Sequence, residues 1–171
     1  FLLENVHMKK EWEDIITEAV GVEPIRINSK LVSAQSRPRL YWTNIPNVKE
    51  PVNTGIYLKD ILDPNADRKY ALSEAKIDRV LNTQRGKGFF YNDSHEKIGT
   101  LISGYHKLPT DGTYIDMGFP RKLTPLECER LQTVPEGYTD ICSDTQRYKM
   151  IGNGWTIDVI AHILKNIEHG I

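Results

Sequence analysis

Apolar residues along the chain fall first into a short continuous run and then into two periodic patterns. Phe1-Leu2-Leu3 is uninterrupted and predicts a short, buried strand of the parallel-sheet kind, with Glu4-Asn5-Val6 at its carboxyl end. Trp12, Ile15, Ile16, Ala19 and Val20 recur at helical spacing and predict an amphipathic helix over residues 9–21, ended by Gly21. Ile25 and Ile27 alternate with polar residues and predict a strand, and Leu40-Tyr41-Trp42-Thr43 predicts another. Strand, helix and strand followed by a hairpin-like return is a βαβ-like layout.

The pattern then breaks. Pro46, Pro51 and Pro64 punctuate a polar stretch that reads as a linker. Ser73 precedes a short helix with Ile77, Val80 and Leu81 on one face. Residues 82–120, rich in Gly, Asn, Asp, Lys and Tyr, predict loops and short strands of a small lobe. Thr124-Pro125-Leu126-Glu127 is a strong helix start: Thr at the cap, Pro at the first helical position and Glu three residues after the cap. Leu123 and Cys128 stand where a hydrophobic staple would form. Ile157, Ile160, Leu164 and Ile167 mark a last helix starting near Trp155, expected to return beside the N-terminal strand.

Composition narrows the function classes. The 171 residues are 39% apolar and 26% charged, with a net charge of −1, which excludes a disordered tail, a coiled coil and a simple polycation. Cys128 and Cys142 form no metal-type pair, and the five histidines have no ligand spacing, so no metal is expected. No apolar run suits a membrane span and no secretory signal stands out, so the expected compartment is reducing cytosol. The opening Phe1-Leu2-Leu3, without Met, reads as a piece of a longer protein.

Three clusters carry candidate chemistry. Glu4 at a strand end places a carboxylate where α/β sheets bind ligands. Arg37 and Arg39, in Gln35-Ser36-Arg37-Pro38-Arg39, suit phosphate and carbonyl oxygens. Arg121-Lys122-Leu123-Thr124-Pro125-Leu126-Glu127-Cys128-Glu129-Arg130-Leu131-Gln132 is followed by Gly152-Asn153-Gly154-Trp155, whose glycines expose backbone N–H groups ahead of a helix. Each also has a bland reading as a turn, a solvated face or a folding signal.

In this order, the clusters resemble the C-terminal part of the cytosine-5 DNA methyltransferases, closest to the de novo branch and its bacterial and phage relatives. The resemblance rests on Glu-Asn-Val, Gln-x-Arg-x-Arg, the Arg-x-Leu-Thr-x-x-Glu-x-x-Arg-Leu-Gln block and the closing Gly-Asn-x helix. It implies an α/β fold: a partial Rossmann-like, S-adenosylmethionine-dependent methyltransferase sheet plus a small target-recognition lobe. Residues 1–46 would be the distal part of the catalytic domain, 47–120 the DNA-binding region, and 121–171 helices returning to the catalytic domain. In such enzymes a cytosine is flipped from double-stranded DNA, a Cys thiolate adds to C6, and C5 takes a methyl group from S-adenosylmethionine. Glu4 would hold N3 and the exocyclic amine, and Arg39 the base O2. Arg37 would sit on a DNA phosphate or support the pocket, and Asn5 would brace the loop. Asn153, Gly154 and Trp155 would form one wall of the cofactor pocket. Thr100 and Ser103 match a segment that meets the target-strand backbone. Arg85, Lys87, Lys97 and Lys107 are candidates for DNA contact, in a stretch (84–107) with four Lys/Arg against two Asp/Glu.

Two family elements have no match, the Pro-Cys-Gln nucleophile loop and the Gly-rich cofactor loop; Cys128 reads as a helix staple and Cys142 as an ordinary small residue. The resemblance therefore implies a C-terminal fragment of a bacterial or phage-encoded, restriction–modification-type enzyme, inactive alone. The missing N-terminal part would be its partner, and the open sheet edge predicts self-association. The alternatives are a non-catalytic DNA-binding remnant or one subunit of a split enzyme.

Overall fold

The computed structural model describes residues 1–82, 90–107 and 112–167. The first unit is a three-stranded sheet flanked by a helix. Strand β1 is Leu2–Val6, helix α1 Lys10–Val20, strand β2 Ile25–Asn28 and strand β3 Pro38–Thr43. Gly21 ends α1 at φ 73° and donates its N–H to the Thr17 carbonyl at 2.8 Å. β3 lies between β1 and β2 and runs antiparallel to both. The crossover through α1 thus links two parallel strands, and the β2–β3 return fills the gap between them.

Two details differ from the sequence reading. The first strand extends through Val6, so Glu4 is mid-strand rather than at the carboxyl end. Its Phe1 and Leu3 are exposed, at 54% and 38%, and the ladder is antiparallel. An apolar run alone does not say which neighbours cover it. On α1, Glu13 is the buried residue, held by Arg26 at 2.8 Å, while Trp12 and Ile15 face outward. Among the described strands, β1 has a ladder partner on one edge only.

The middle of the chain is mostly irregular but not loosely attached. Helix α2 (Glu74–Leu81) follows Ser73, and strands β4 (Tyr114–Asp116) and β5 (Pro120–Lys122) form an antiparallel pair. Leu58, Ile61 and Leu62, inside the stretch read as a linker, are buried in the largest core cluster. That cluster also takes Ala34, Ile98, Leu101, Ile115, Leu123, Cys128, Leu131 and Ile151, so segments from all three parts of the chain share it.

Helix α3 (Pro125–Leu131) begins with the predicted capping box. Thr124 Oγ1 accepts the Glu127 N–H at 3.1 Å, and Glu127 Oε2 accepts the Thr124 N–H at 2.7 Å. Leu123 and Cys128 are both fully buried in the same core, as a staple requires. Burial holds the Cys128 thiol well above its usual range, so it stays protonated.

Helix α4 (Asp144–Asn153) was not legible from periodicity, and the last helix, α5, is Ile157–Leu164 rather than starting at Trp155. Val159, Ile160 and Ile163 of α5 pack with Ile27, Val32 and Tyr41 and with the half-buried Leu2, which returns the chain end to the first sheet. Gly152 lets α4 approach the segment before Ser103. A Cβ there would lie 2.5 Å from both the Ile102 carbonyl oxygen and the Ser103 nitrogen. Gly152→Ala is therefore expected to cost about 1–3 kcal/mol through forced backbone separation, read by chemical denaturation. No helix among the described residues is long and apolar enough to cross a membrane.

Candidate functional site

Strand register brings Glu4 and Arg39 together. Glu4 lies opposite Tyr41 and Val6 opposite Arg39, so the two are diagonal neighbours on one face of the β1–β3 ladder. Arg39 Nε donates to Glu4 Oε1 at 2.8 Å, with the side chains only 12% and 17% exposed. Arg39 Nη1 also donates to the Pro38 carbonyl at 2.8 Å, which fixes the plane of the guanidinium. The pair offers a flat heterocycle an acceptor edge beside cationic donors. Next to it, burial pushes the Tyr41 phenol up to about 12, reinforced by Glu4, so it stays neutral. Asn5, inside β1, accepts the next residue's N–H, Val6, on its Oδ1 at 2.8 Å.

Arg37 points into the protein. Its guanidinium is buried and donates to the carbonyls of Leu101 (2.8 Å), Gly152 (3.3 Å) and Gly154 (3.0 Å). Burial, and then the charge of Arg39, lower its pKa to about 10, still far above neutrality, so it remains a cation. It ties β3 to the 98–103 segment and to the end of α4.

A buried polar network runs beside it. Gln132 Nε2 donates to the Ile151 and Gly154 carbonyls at 2.9 and 3.1 Å. Its Oε1 accepts from Gln35 Nε2 at 3.2 Å and from Thr156 Oγ1 at 2.8 Å. Gln35 Oε1 in turn accepts the Leu101 N–H at 2.6 Å. The sequence placed Gln132 and Gln35 only as letters of motifs; nothing in local patterning signals that two glutamines far apart in sequence meet.

The Gly152-Asn153-Gly154 segment departs from expectation. Gly152 and Asn153 are the last turn of α4, and the Gly154 N–H closes it on the Met150 carbonyl at 2.8 Å, so these amides serve the helix rather than a ligand. The side chains also separate. Gly154 and Trp155 line an open groove of ≈ 370 Å³ with Val134, Pro135, Tyr138 and Met150. Asn153 lines a different cavity. The groove is apolar, with the exposed Trp155 ring on one side, and fits the face of a planar ring.

Its outer loop is held by Glu129. This fully buried carboxylate accepts the N–H groups of Gly137 and Thr139, each at 2.9 Å, the Thr139 hydroxyl, and Arg147 at 3.1 Å. Burial pushes the carboxyl up, but these hydrogen bonds and Arg147 outweigh it and hold Glu129 below its ordinary value. A depressed acid contributes stability above its unfolded value and loses it as pH falls through the lower folded value. The 134–139 loop is therefore expected to lose hydrogen-exchange protection, relative to the intrinsic rate at each pH, on acidification below the ordinary carboxylate range, and Glu129→Gln to show low protection already at neutral pH.

The remaining candidates divide. Thr100 Oγ1 donates to the Ser36 carbonyl at 2.8 Å, and Ser103 stands at the start of a single 3-10 turn, Ser103–Lys107. Lys97 is not poised for DNA: its ammonium donates to the carbonyls of Ser33 (3.0 Å) and Ile56. Arg85 and Lys87 lie outside the described residues. Among the described residues, no group of three or more His, Cys, Asp or Glu could hold a metal ion.

Comparison with known proteins identifies the family. Residues 28–169 match the family described as C-5 cytosine-specific DNA methylase. The type II methyltransferase M.SsoII of Shigella sonnei is 31% identical over 98% of this chain and 52% of its own length. M.NlaX of Neisseria lactamica is 28% identical over 98% of this chain and 62% of its own. The chain thus spans about half to three-fifths of the length of these relatives. In fold, it is similar to a methyltransferase of Entamoeba histolytica, with a TM-score of 0.72, 19% identity, and coverage of 98% of this chain and 62% of that one. The Dnmt2 methyltransferase of S. pombe gives 0.71 at 18% identity, covering 97% and 63%.

Proposed function

The chain belongs to the C-5 cytosine-specific DNA methylase family, and from that premise we propose that it is the base-holding and target-facing part of an enzyme that methylates C5 of a flipped cytosine in double-stranded DNA. The observation that carries the reading is the Glu4–Arg39 contact, two charged side chains set side by side and largely sheltered from solvent on one face of the β1–β3 ladder. Glu4 accepts from the exocyclic amine and holds the proton at N3. Arg39 donates to O2 of the base and fixes the Glu4 carboxylate. Together they stabilise charge on the ring as C5 becomes nucleophilic. Arg37 orients this strand against the groove wall.

S-adenosylmethionine supplies an electrophilic methyl group when bound. In this chain, Gly154 and Trp155 would hold part of it, since the apolar groove suits a flat ring. Asn153, turned to another cavity, would contribute through its backbone position. Neither cysteine is placed as a nucleophile: Cys128 is buried and protonated, and Cys142 follows Ile141 outside the pocket segments. The thiolate and the rest of the cofactor site would come from polypeptide that adds to the free edge of β1, and the 171 residues alone would be inactive. Residues 47–120 would read the target sequence.

The exposed Phe1, Leu3, Trp12 and Ile15 support an interface at this edge. The chain alone is expected to gain mass with concentration in light scattering, and Trp12→Lys with Ile15→Lys to reduce that gain; a monomer at every concentration overturns the expectation. The function itself is tested by expressing the gene that carries this chain in a host without cytosine methylation and mapping the genome by bisulfite conversion. Protected cytosines at one recurring short sequence support the reading. An unmodified genome, from folded protein, leaves a DNA-binding remnant.

A further inference from the structure

The Gly154 carbonyl accepts from two directions. Arg37 Nη2 donates to it at 3.0 Å and Gln132 Nε2 at 3.1 Å. A carbonyl oxygen has two lone pairs, so both are filled. Gly154 and Gln132 line the apolar groove together with Trp155, the next residue in the chain. Arg37 stands two residues before Arg39.

We propose that this Arg37–Gln132 clamp couples the groove to the Glu4–Arg39 pair, with Gln132 as the positioning residue, so that a ligand in the groove and a cytosine at the pair tighten each other's binding. The inference rests on the reading that the groove takes part of S-adenosylmethionine and the pair takes the base.

On the groove side the clamp is rigid. Gln132 is fully buried at the carboxyl end of α3. Its amide offers two N–H donors and an oxygen with two lone pairs, and all four are engaged. Nε2 serves Ile151 as well as Gly154, and Oε1 takes Gln35 Nε2 and Thr156 Oγ1. The Thr156 hydroxyl also meets that of Ser29 at 2.8 Å. In a buried site, turning the amide would orphan several groups at once. The Gln132 carbonyl accepts the Ile157 N–H at 3.0 Å, which ties the far end of the 154–157 segment to the same residue.

On the other side the link is short and stiff. Pro38 separates the two arginines, fixes its own φ and disfavours a helical Arg37. Arg39 Nη1 donates to the Pro38 carbonyl and its Nε to Glu4, both at 2.8 Å. A displacement of the Gly154 carbonyl therefore reaches Glu4 without crossing a flexible loop. Gln35 adds a second route: its Oε1 accepts the Leu101 N–H at 2.6 Å, and Arg37 Nη1 donates to the Leu101 carbonyl at 2.8 Å. A ring stacked on Trp155 fixes the 154–155 peptide, and with it the guanidinium behind the pair. The free energy of ordering this joint falls on the first ligand and is spared the second, and linkage makes the effect reciprocal.

The test uses the enzyme that carries this chain, S-adenosylhomocysteine, which has no methyl group to transfer, and a duplex bearing the cytosine site mapped by bisulfite conversion. Isothermal titration calorimetry gives the Kd of S-adenosylhomocysteine with and without saturating duplex. The wild type is expected to bind about tenfold more tightly with duplex present, and Gln132→Met to show a ratio near one. Thr156→Val, outside the groove lining, is expected to fall between them, and Thr156→Ser to keep the wild-type ratio. A folded Gln132→Met enzyme that binds each ligand more weakly but keeps the ratio overturns the coupling. If Gln132→Met does not fold, a wild-type ratio in Thr156→Val overturns it. A ratio of one in the wild type also overturns it and leaves the methylation reading standing. A genome with no mapped site, or a wild type that binds neither ligand, overturns both.

Discussion

Glu127→Ala is expected to destabilise the fold by about 3–5 kcal/mol, the cost of leaving a buried charge without its partner. Arg121 is 1% exposed and meets Glu127 through two bonds, Nη1 to Oε2 at 2.8 Å and Nη2 to Oε1 at 2.7 Å. The same carboxylate accepts the N–H groups of Thr124 (2.7 Å) and Asp63 (2.9 Å). One side chain thus starts α3, pairs the β5 arginine and anchors the 58–63 segment. Alanine orphans a guanidinium and two amides at once. A small domain holds about 5–15 kcal/mol in total, so the variant should lose a large share of its stability. Urea denaturation followed by circular dichroism measures it. The double variant Arg121→Met, Glu127→Leu is expected to lose less than Glu127→Ala alone, because no charge is then left buried. A double variant worse than the single one would mean that the pair is needed for packing rather than for charge compensation.

The second large effect is on chemistry. In the enzyme that carries this chain, Glu4→Gln is expected to lower the methylation rate constant by about 10²–10³, with little change in KM for DNA. Glutamine is nearly isosteric and keeps an oxygen toward Arg39, but it cannot hold a negative charge beside N3. Arg39→Met should show a loss of similar order by removing the O2 donor and freeing the Glu4 carboxylate to move. A large rise in KM with an unchanged rate constant would assign both residues to DNA binding instead.

Much of this arrangement was legible from sequence where chemistry is local. The α3 capping box is set by four consecutive residues, and its hydrogen bonds formed as read. The helix ending at Gly21 and the two strands after it follow from periodicity and glycine placement. Glu4, Arg37 and Arg39 were found because their residue types recur in an ordered motif. What escaped were features that depend on distant partners. Helix α4 is polar and interrupted by Gly152, so no apolar stripe marked it; the Ser143–Asp144 start and the Tyr148–Ile151 spacing were the available signals. Arg37 and Arg39 look alike in the chain, yet one is buried on carbonyls and the other pairs a carboxylate, a difference made by the packing of α4. Lys97 likewise read as a surface cation and is bonded to backbone carbonyls. The separation of Asn153 from Trp155 follows from where α4 stops: Asn153 is its last residue, Gly154 is extended, and Trp155 lies beyond the helix.

Glu4 and Arg39 are proposed to hold the cytosine that is methylated at C5. The most direct measurement incubates DNA with S-adenosylmethionine and the enzyme carrying this chain, digests the DNA to nucleosides, and identifies the products by mass spectrometry, with Glu4→Gln in parallel. The expected products are 5-methyl-2′-deoxycytidine from the wild type and a slower rise of the same nucleoside from the variant. Methylation at the exocyclic amine, or equal rates from both proteins, would contradict it.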